Sequence, residues 1–115
     1  MAYYLLQLNY TPLGWAALVK NPQNRLQALA PVVQRLEGNI VNGWMQFGEY
    51  DVLVVCQLPD HVSAGALSMA ISAGGAVERV KTTPLLTIEE GIESLRKAAN
   101  AQYSPPESEF AYFGT

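Results

Sequence analysis

Residues 39–58 read NIVNGWMQF-GEYD-VLVVCQL, two β-prone runs on either side of Gly48-Glu49-Tyr50-Asp51. Such runs, separated by a short segment with a glycine and acidic residues, are typical of a β-hairpin. Gly48 adopts a positive φ without steric cost, and an aspartate at position 51 can accept hydrogen bonds from nearby backbone N–H groups. The hairpin sets the strand pairing at mid-chain, so the flanking segments are expected to pack on its sheet.

On the N-terminal side, residues 3–10 predict a strand with two largely apolar faces, which indicates that both faces are covered. Thr11-Pro12 then predicts a helix start, because proline is tolerated at the first helical position. The apolar stripe of this helix is Trp15, Leu18 and Val19. Asn21-Pro22 predicts a break, after which residues 25–36 continue the helix to a C′ glycine at Gly38.

On the C-terminal side, Pro59-Asp60 stops the third strand and caps a helix over residues 61–73. A fourth strand is predicted over 76–86, with Val77 on the same face as Arg79 and Lys81. Thr87-Ile-Glu-Glu90 matches a capping box and predicts a further helix. From residue 100 the chain is predicted to be an extended tail that carries the aromatic residues of 110–113.

The resulting order, β-α-β-β-α-β followed by a helix and a tail, predicts the α+β class with a ferredoxin-like antiparallel sheet. Residues 1–99 form one predicted domain. Residues 100–115 are predicted to be an arm that docks on a neighbouring subunit, because exposed aromatic residues would be a liability. In many small proteins with this fold, the open sheet faces of two chains pack together into a dimeric α+β barrel, and the same pairing is expected here.

Composition supports an oligomer and excludes some partners. Half of the residues are hydrophobic and 15% are charged, so further surface is expected to be buried between subunits. The net charge of −3 argues against nucleic acid, and the sequence shows neither a signal peptide nor a membrane span. Cys56, the single cysteine, lies in an apolar strand and is predicted to be inert. We therefore expect a cytoplasmic protein.

Four segments together resemble the GYD domain family: Tyr10-Thr11-Pro12, Gly48-Glu49-Tyr50-Asp51 leading into VLVV, Pro59-Asp60, and TTPLLT at 82–87. In this chain Glu49 stands between the glycine and Tyr50, so the turn has the form Gly-x-Tyr-Asp. The resemblance covers about residues 3–98. It implies the fold and an oligomer, and it brings no assigned activity or cofactor.

Two residues are weak candidates for catalysis. Asp51 is a candidate general base or ligand anchor at the mouth of a cleft, although turn aspartates more often tie down backbone N–H groups. His61 is a candidate because histidine is a common general acid or base, but a position in the first helical turn favours a solvated side chain. No spacing of His, Cys and carboxylates predicts a metal site.

A ligand-binding set is predicted from amides and aromatic residues on apolar strands. Such residues would line a mostly apolar pocket with a few polar groups, if the strand register brings them together. The set is Gln7, Asn9, Tyr10, Trp15, Asn42, Trp44 and Tyr50, with Gln46 as a further amide. Hydrogen bonding across strands or subunits is the structural alternative. Arg79 and Lys81 are interpreted as solvated edge charges rather than as anion ligands.

Three functions are compatible with these patterns. The first is an oligomeric module that binds a small apolar or aromatic molecule. The second, by fold analogy alone, is a cofactor-independent monooxygenase or isomerase of the dimeric α+β barrel type. The third is a structural or regulatory assembly subunit.

Overall fold

The structure is a computed structural model that describes residues 1–106. In chain order, the elements are β1 (Ala2–Tyr10), α1 (Pro12–Lys20), α2 (Arg25–Arg35), β2 (Asn39–Met45), β3 (Val52–Leu58), α3 (His61–Ala73), β4 (Val77–Leu85) and α4 (Ile88–Ala101). The chain divides into two compact units, Met1–Leu85 and the segment that begins at Leu86. The aromatic arm predicted over 110–113 lies outside the described residues.

The four strands form one sheet in the order β2-β3-β1-β4, and each neighbouring pair is antiparallel. This confirms the predicted ferredoxin-like α+β fold. Because β4 lies at an edge, Pro84 costs no central ladder hydrogen bond.

One face of the sheet, here called the core face, carries the hydrophobic core. Its side chains alternate along the two central strands, and the residues concerned are Tyr4, Leu6, Leu8 and Tyr10 of β1 with Val52, Val54, Cys56 and Leu58 of β3. Val33 of α2 with Ala64 and Leu67 of α3 complete this cluster, and Val33 and Leu67 are fully buried. The other face, here called the open face, contributes no residue to the core cluster; its central side chains are Leu5, Gln7, Leu53 and Val55.

Local sequence explains most helix boundaries. The Thr11 hydroxyl accepts from the N–H of Gly14, and Asp60 caps α3 by accepting from Ser63 N at 2.8 Å. After the break at Asn21-Pro22, the cap of α2 is Asn24, whose side chain accepts from Leu26 N at 3.0 Å. Val19 is 77% exposed, so it is not part of the buried stripe of α1.

The end of α2 differs from the prediction by one residue. Glu37, with φ of 64°, takes the left-handed position that was predicted for Gly38. Gly38 N donates to Val33 O at 3.0 Å, which completes a Schellman ending. Glycine is needed at 38 for space, because a Cβ there would lie 2.3 Å from the carbonyl oxygen of Gln57.

The predicted faces of β4 were wrong at Val77. A register shift opposite Asn9 and Tyr10 pairs Val77 with Tyr10 and Val80 with Leu8, so both valines face the core. Arg79 pairs with Asn9 on the open face. A β-bulge of this kind inserts one residue and breaks the period of two from which the faces were inferred.

The helix of the second unit is α4, and it begins at the predicted capping box. Glu90 N donates to the Thr87 hydroxyl at 3.1 Å, and Thr87 N donates to the Glu90 carboxylate at 2.9 Å. The helix continues to Ala101, so residue 100, predicted as the start of the tail, is still helical.

Candidate functional site

A cleft of about 430 Å³ lies on the core face of the sheet, between the strands and helices α1, α2 and α3. We call it the helix-side cleft. Its floor is formed by Leu8, Tyr10, Val52 and Val54, and its walls include Ala17, Leu18, Leu29, Val32, Ala70 and Ile71. Almost every one of these side chains is aliphatic. A concave apolar site of this size has the usual character of a small-molecule pocket.

A second groove, of about 470 Å³, runs from the same region towards β2 and is bordered by Trp15, Val19, Pro22, Trp44 and Met45. The two spaces share Tyr10, Leu18, Gln23, Arg25, Leu26 and Val52. The rings of Tyr10 and Trp15 meet edge to face, with centroids 5.2 Å apart, so they form an aromatic corner between the two spaces.

Tyr10 brings a polar atom to this apolar surface. Burial raises the pKa of its phenol; Arg25 acts in the opposite direction and Asp51 in the same direction, each to a smaller extent. Tyr10 is therefore a neutral phenol at physiological pH, able to donate or accept a hydrogen bond.

The polar rim of the cleft comes from the start of α2. Asn24 caps the helix, and Arg25 is its first residue. The guanidinium of Arg25 donates from Nη1 to Oε1 of Gln23 at 2.7 Å. The side chains of Gln23 and Arg25 border both spaces, so an amide and a cation lie at the edge of an otherwise aliphatic surface.

Asp51 ties the central turn to β1. Its Oδ2 accepts from Tyr10 N at 2.9 Å, and its own N–H donates to Leu8 O at 2.8 Å. Gly48, with φ of 155°, provides the positive φ expected in this turn. The carboxylate thus accepts a hydrogen bond from a backbone N–H, and Asp51 does not line the helix-side cleft.

Tyr50 and Asn9 meet Arg79 near this turn. Tyr50 is buried, and the Arg79 guanidinium lies 4.9 Å from its ring centroid. Asn9 donates from Nδ2 to Glu49 O at 2.9 Å and accepts from Arg79 Nε at 3.2 Å. A shallow polar depression bordered by Asn9, Tyr10, Asp51, Glu78 and Arg79 contains charges of both signs.

The structure divides the predicted ligand-binding set between the two faces of the sheet. Tyr10 and Trp15 lie together on the helix side. Trp44 borders the same groove, but it pairs with Leu53 and so belongs to the open face of β2. Gln7 pairs with Leu53 and Lys81 on the open face. The side-chain oxygen of Asn42 accepts a hydrogen bond from the N–H of Gly43. A single pocket lined by the whole set is therefore not formed within Met1–Leu85.

Gln46 Nε2 is buried and has no hydrogen-bond partner among residues 1–106. An unpaired buried amide of this kind costs free energy, so its side chain is a point where a further contact would stabilise the protein. Its place next to Asp51 is fixed by the backbone bond from Gln46 N to Asp51 O, 2.9 Å long.

His61 has a partner that sequence reasoning missed. Its Nδ1 lies 2.9 Å from the hydroxyl of Tyr4, a buried residue of β1, and the two rings meet edge to face. His61 itself is exposed at the start of α3 and lines neither the helix-side cleft nor the second groove. The contact satisfies the Tyr4 hydroxyl at the edge of the core.

Other candidate chemistry is limited. Burial raises the pKa of the Cys56 thiol to about 11, which keeps it protonated and unreactive. Among residues 1–106, no three His, Cys, Asp or Glu side chains come together as metal ligands would. Within the same range, every helix is too short or too polar to span a bilayer.

Comparison with known proteins identifies the family of the chain. The model of the family described as GYD domain matches residues 4–95. The chain belongs to the GYD domain family. The matched segment of this GYD domain includes nearly the whole sheet, the central turn and the helix-side cleft.

The crystal structure of TTHA0845 from Thermus thermophilus is similar in fold. Its TM-score to this GYD domain protein is 0.50 at 19% sequence identity, and the match covers 76% of this chain and 95% of that chain. This likeness supports the fold alone. A comparison with curated proteins gave no significant match.

Proposed function

We propose that this GYD domain protein is a subunit of an oligomer that binds a small, mostly apolar molecule in the helix-side cleft. The observation that carries the proposal is the cleft itself, about 430 Å³ of concave, aliphatic surface between the helices and the core face. Pockets of about 300–1,000 Å³ with a few placed polar groups are typical of small-molecule sites. Tyr10 and the rim residues Gln23 and Arg25 supply those polar groups here.

Binding in the cleft would be driven mainly by removal of apolar surface from water. Each buried methylene contributes about 0.8 kcal/mol, so a ligand of modest size gains enough to offset part of the cost of association. The second groove extends the same surface past Trp15, which offers an aromatic contact to a flat ligand.

The oligomer part of the proposal concerns the open face. Leu5 pairs with Val55, and Gln7 with Leu53, so two leucines and a valine lie at the centre of that face. None of them belongs to the core cluster. We propose that a second copy covers this face, as in a dimeric α+β barrel; a stable interface of standard size buries about 800 Å² per partner.

Binding is tested with Nile red, a neutral apolar dye whose emission rises and shifts to the blue in a dry pocket. Ala17→Trp places an indole in the cleft, and Ala16→Trp places the same group one residue earlier on α1, at an exposed position outside the cleft. We expect Ala17→Trp to weaken dye binding about tenfold or more, and Ala16→Trp to leave it unchanged. Equal binding by both variants would contradict the proposed site.

The oligomer is tested by native mass spectrometry and light scattering of the full chain. Val55→Lys places a charge on the open face, and Val62→Lys places the same charge on α3, where Val62 is 81% exposed. We expect a multimer for the wild type and for Val62→Lys, and dissociation for Val55→Lys. A wild-type monomer at micromolar concentration would refute the oligomer. A multimer of bare chains that does not bind the dye would favour an assembly subunit instead.

A further inference from the structure

The rim of the helix-side cleft carries an exposed cation, Arg25, that forms no ion pair within residues 1–106. Among residues 1–106, the only ion pair joins Arg96 and Glu93, so Arg25 has no carboxylate partner there. Its guanidinium donates to the neutral Oε1 of Gln23, which orients one of its five N–H groups and leaves the others available.

Helix stability does not explain this cation. Arg25 is the first residue of α2, and the first turn of that helix has no acidic residue. A positive charge at a helix N-terminus is unfavourable, because the helix dipole is already positive there. Arg35, in the last turn of the same helix, occupies the favourable end.

We infer that the ligand of the helix-side cleft is an amphiphile, with an apolar body along Leu18, Leu29 and Val32 and a single carboxylate bound by Arg25. This inference rests on the proposed function and names the class of its ligand. The geometry that carries it is the position of Arg25 on the border of both apolar spaces.

A carboxylate fits this cation better than a more highly charged group. The planar guanidinium presents two parallel N–H donors that match the two oxygens of a carboxylate. One arginine balances the single negative charge of a carboxylate, whereas a phosphate monoester carries about −1.5 to −2 at neutral pH. Tyr10, on the floor beside Arg25, keeps its proton because burial raises its pKa, so its hydroxyl is available as a donor to the same head group.

The net charge of the chain makes the test selective. At −3, the protein as a whole repels anions, so preferential binding of an anion has to come from a local group. Decanoate and decan-1-ol have the same alkyl length and differ in the charged head. Each is titrated against bound Nile red at pH 8 and low ionic strength.

We expect the wild type to bind decanoate more tightly than decan-1-ol. Arg25→Gln should weaken decanoate binding about tenfold and decan-1-ol binding far less. Arg35→Gln removes the same charge from the same helix and should behave as the wild type. Arg25→Lys, which keeps the charge without the planar fork, should lose an intermediate amount. Added salt should weaken decanoate binding alone.

The inference would be overturned, while the proposed function stands, if decan-1-ol bound as tightly as decanoate, or if Arg25→Gln and Arg25→Lys both bound decanoate as the wild type does. Absence of Nile red binding to the wild type would refute the proposed function and this inference with it. Equal losses in Arg25→Gln and Arg35→Gln would show a general effect of charge and would also overturn the inference.

Discussion

Replacement of Asp51 tests whether its carboxylate holds the central turn on the sheet. Oδ2 accepts from Tyr10 N at 2.9 Å, across 41 residues of chain. This bond joins the turn to the end of β1, beside the register shift between β1 and β4. Asp51→Ala removes the acceptor, whereas Asp51→Asn keeps an oxygen in nearly the same place and removes the charge.

The size of the effect follows from the kind of bond. A hydrogen bond to a charged group contributes about 1.5–3 kcal/mol, and a neutral one about 0.5–1.5 kcal/mol. Since Asp51 is partly exposed, the lower half of the first range applies, and Asp51→Ala should reduce the free energy of unfolding by about 2 kcal/mol. Asp51→Asn should cost about 1 kcal/mol or less.

The assay is urea unfolding followed by tryptophan fluorescence, with all variants at one protein concentration because an oligomer makes stability concentration-dependent. Glu49→Ala is the matched control: it removes the same charge from an exposed side chain of the same turn. We expect this control to stay within about 0.5 kcal/mol of the wild type, as surface substitutions usually do. A similarly small loss in Asp51→Ala, or an equal loss in Glu49→Ala, would refute the structural role given to this hydrogen bond.

Three further predictions use other contacts of the chain. Gly38→Ala should lower the free energy of unfolding by about 3 kcal/mol, since its Cβ would lie 2.3 Å from the Gln57 carbonyl oxygen. Gly65→Ala, in open space within α3, should raise it by about 0.5–1 kcal/mol. Urea midpoints that moved in the same direction would contradict this prediction. Cys56, with its pKa raised to about 11, should react with a thiol reagent at pH 8 only on unfolding, and rapid labelling of the native protein would contradict this. The contribution of the protonated thiol to stability should be lost as the pH rises from about 8.5 towards 11. The pKa of the Asp60 carboxyl is lowered, chiefly by the backbone hydrogen bond that it accepts in the first turn of α3. The ionised carboxylate therefore stabilises the fold above its unfolded pKa of about 3.9, and this stabilisation is lost as the pH falls below that value. Asp60→Asn should show a shallower loss of stability in this acid range, measured as the melting temperature against pH.

Features that depend on residues close together in the chain could be predicted from sequence. Thr11-Pro12 begins α1, Asp60 caps α3, and Thr87 with Glu90 forms the capping box of α4. Residues 3–10 were predicted as a strand, and the structure has β1 at Ala2–Tyr10. These signals are local, because a cap or a turn is satisfied by atoms within a few residues.

The candidate site was predicted only in part. Tyr10 and Trp15 were named from their apolar surroundings, and the structure places their rings 5.2 Å apart. Arg25 and Gln23 were missed, although the break at Asn21-Pro22 was recognised. A polar segment that joins two amphipathic helices marks the rim of any space they enclose, and this signal was available in the sequence.

The sequence by itself determined the class of fold and the order of the elements, since these follow from local periodicity, caps and a turn. The family followed from the resemblance of four short segments to the GYD domain. Only the tertiary structure decided which side chains share a face and which meet. The bulge opposite Asn9 and Tyr10 turned Val77 to the core. Gln7 pairs with Leu53 and Asn42 pairs with Val55 on the open face, so the sheet separates both amides from Tyr10. The physical reason is that register and packing are set by contacts between residues far apart in the chain. A shift of one residue exchanges the faces of a strand and leaves the local pattern intact.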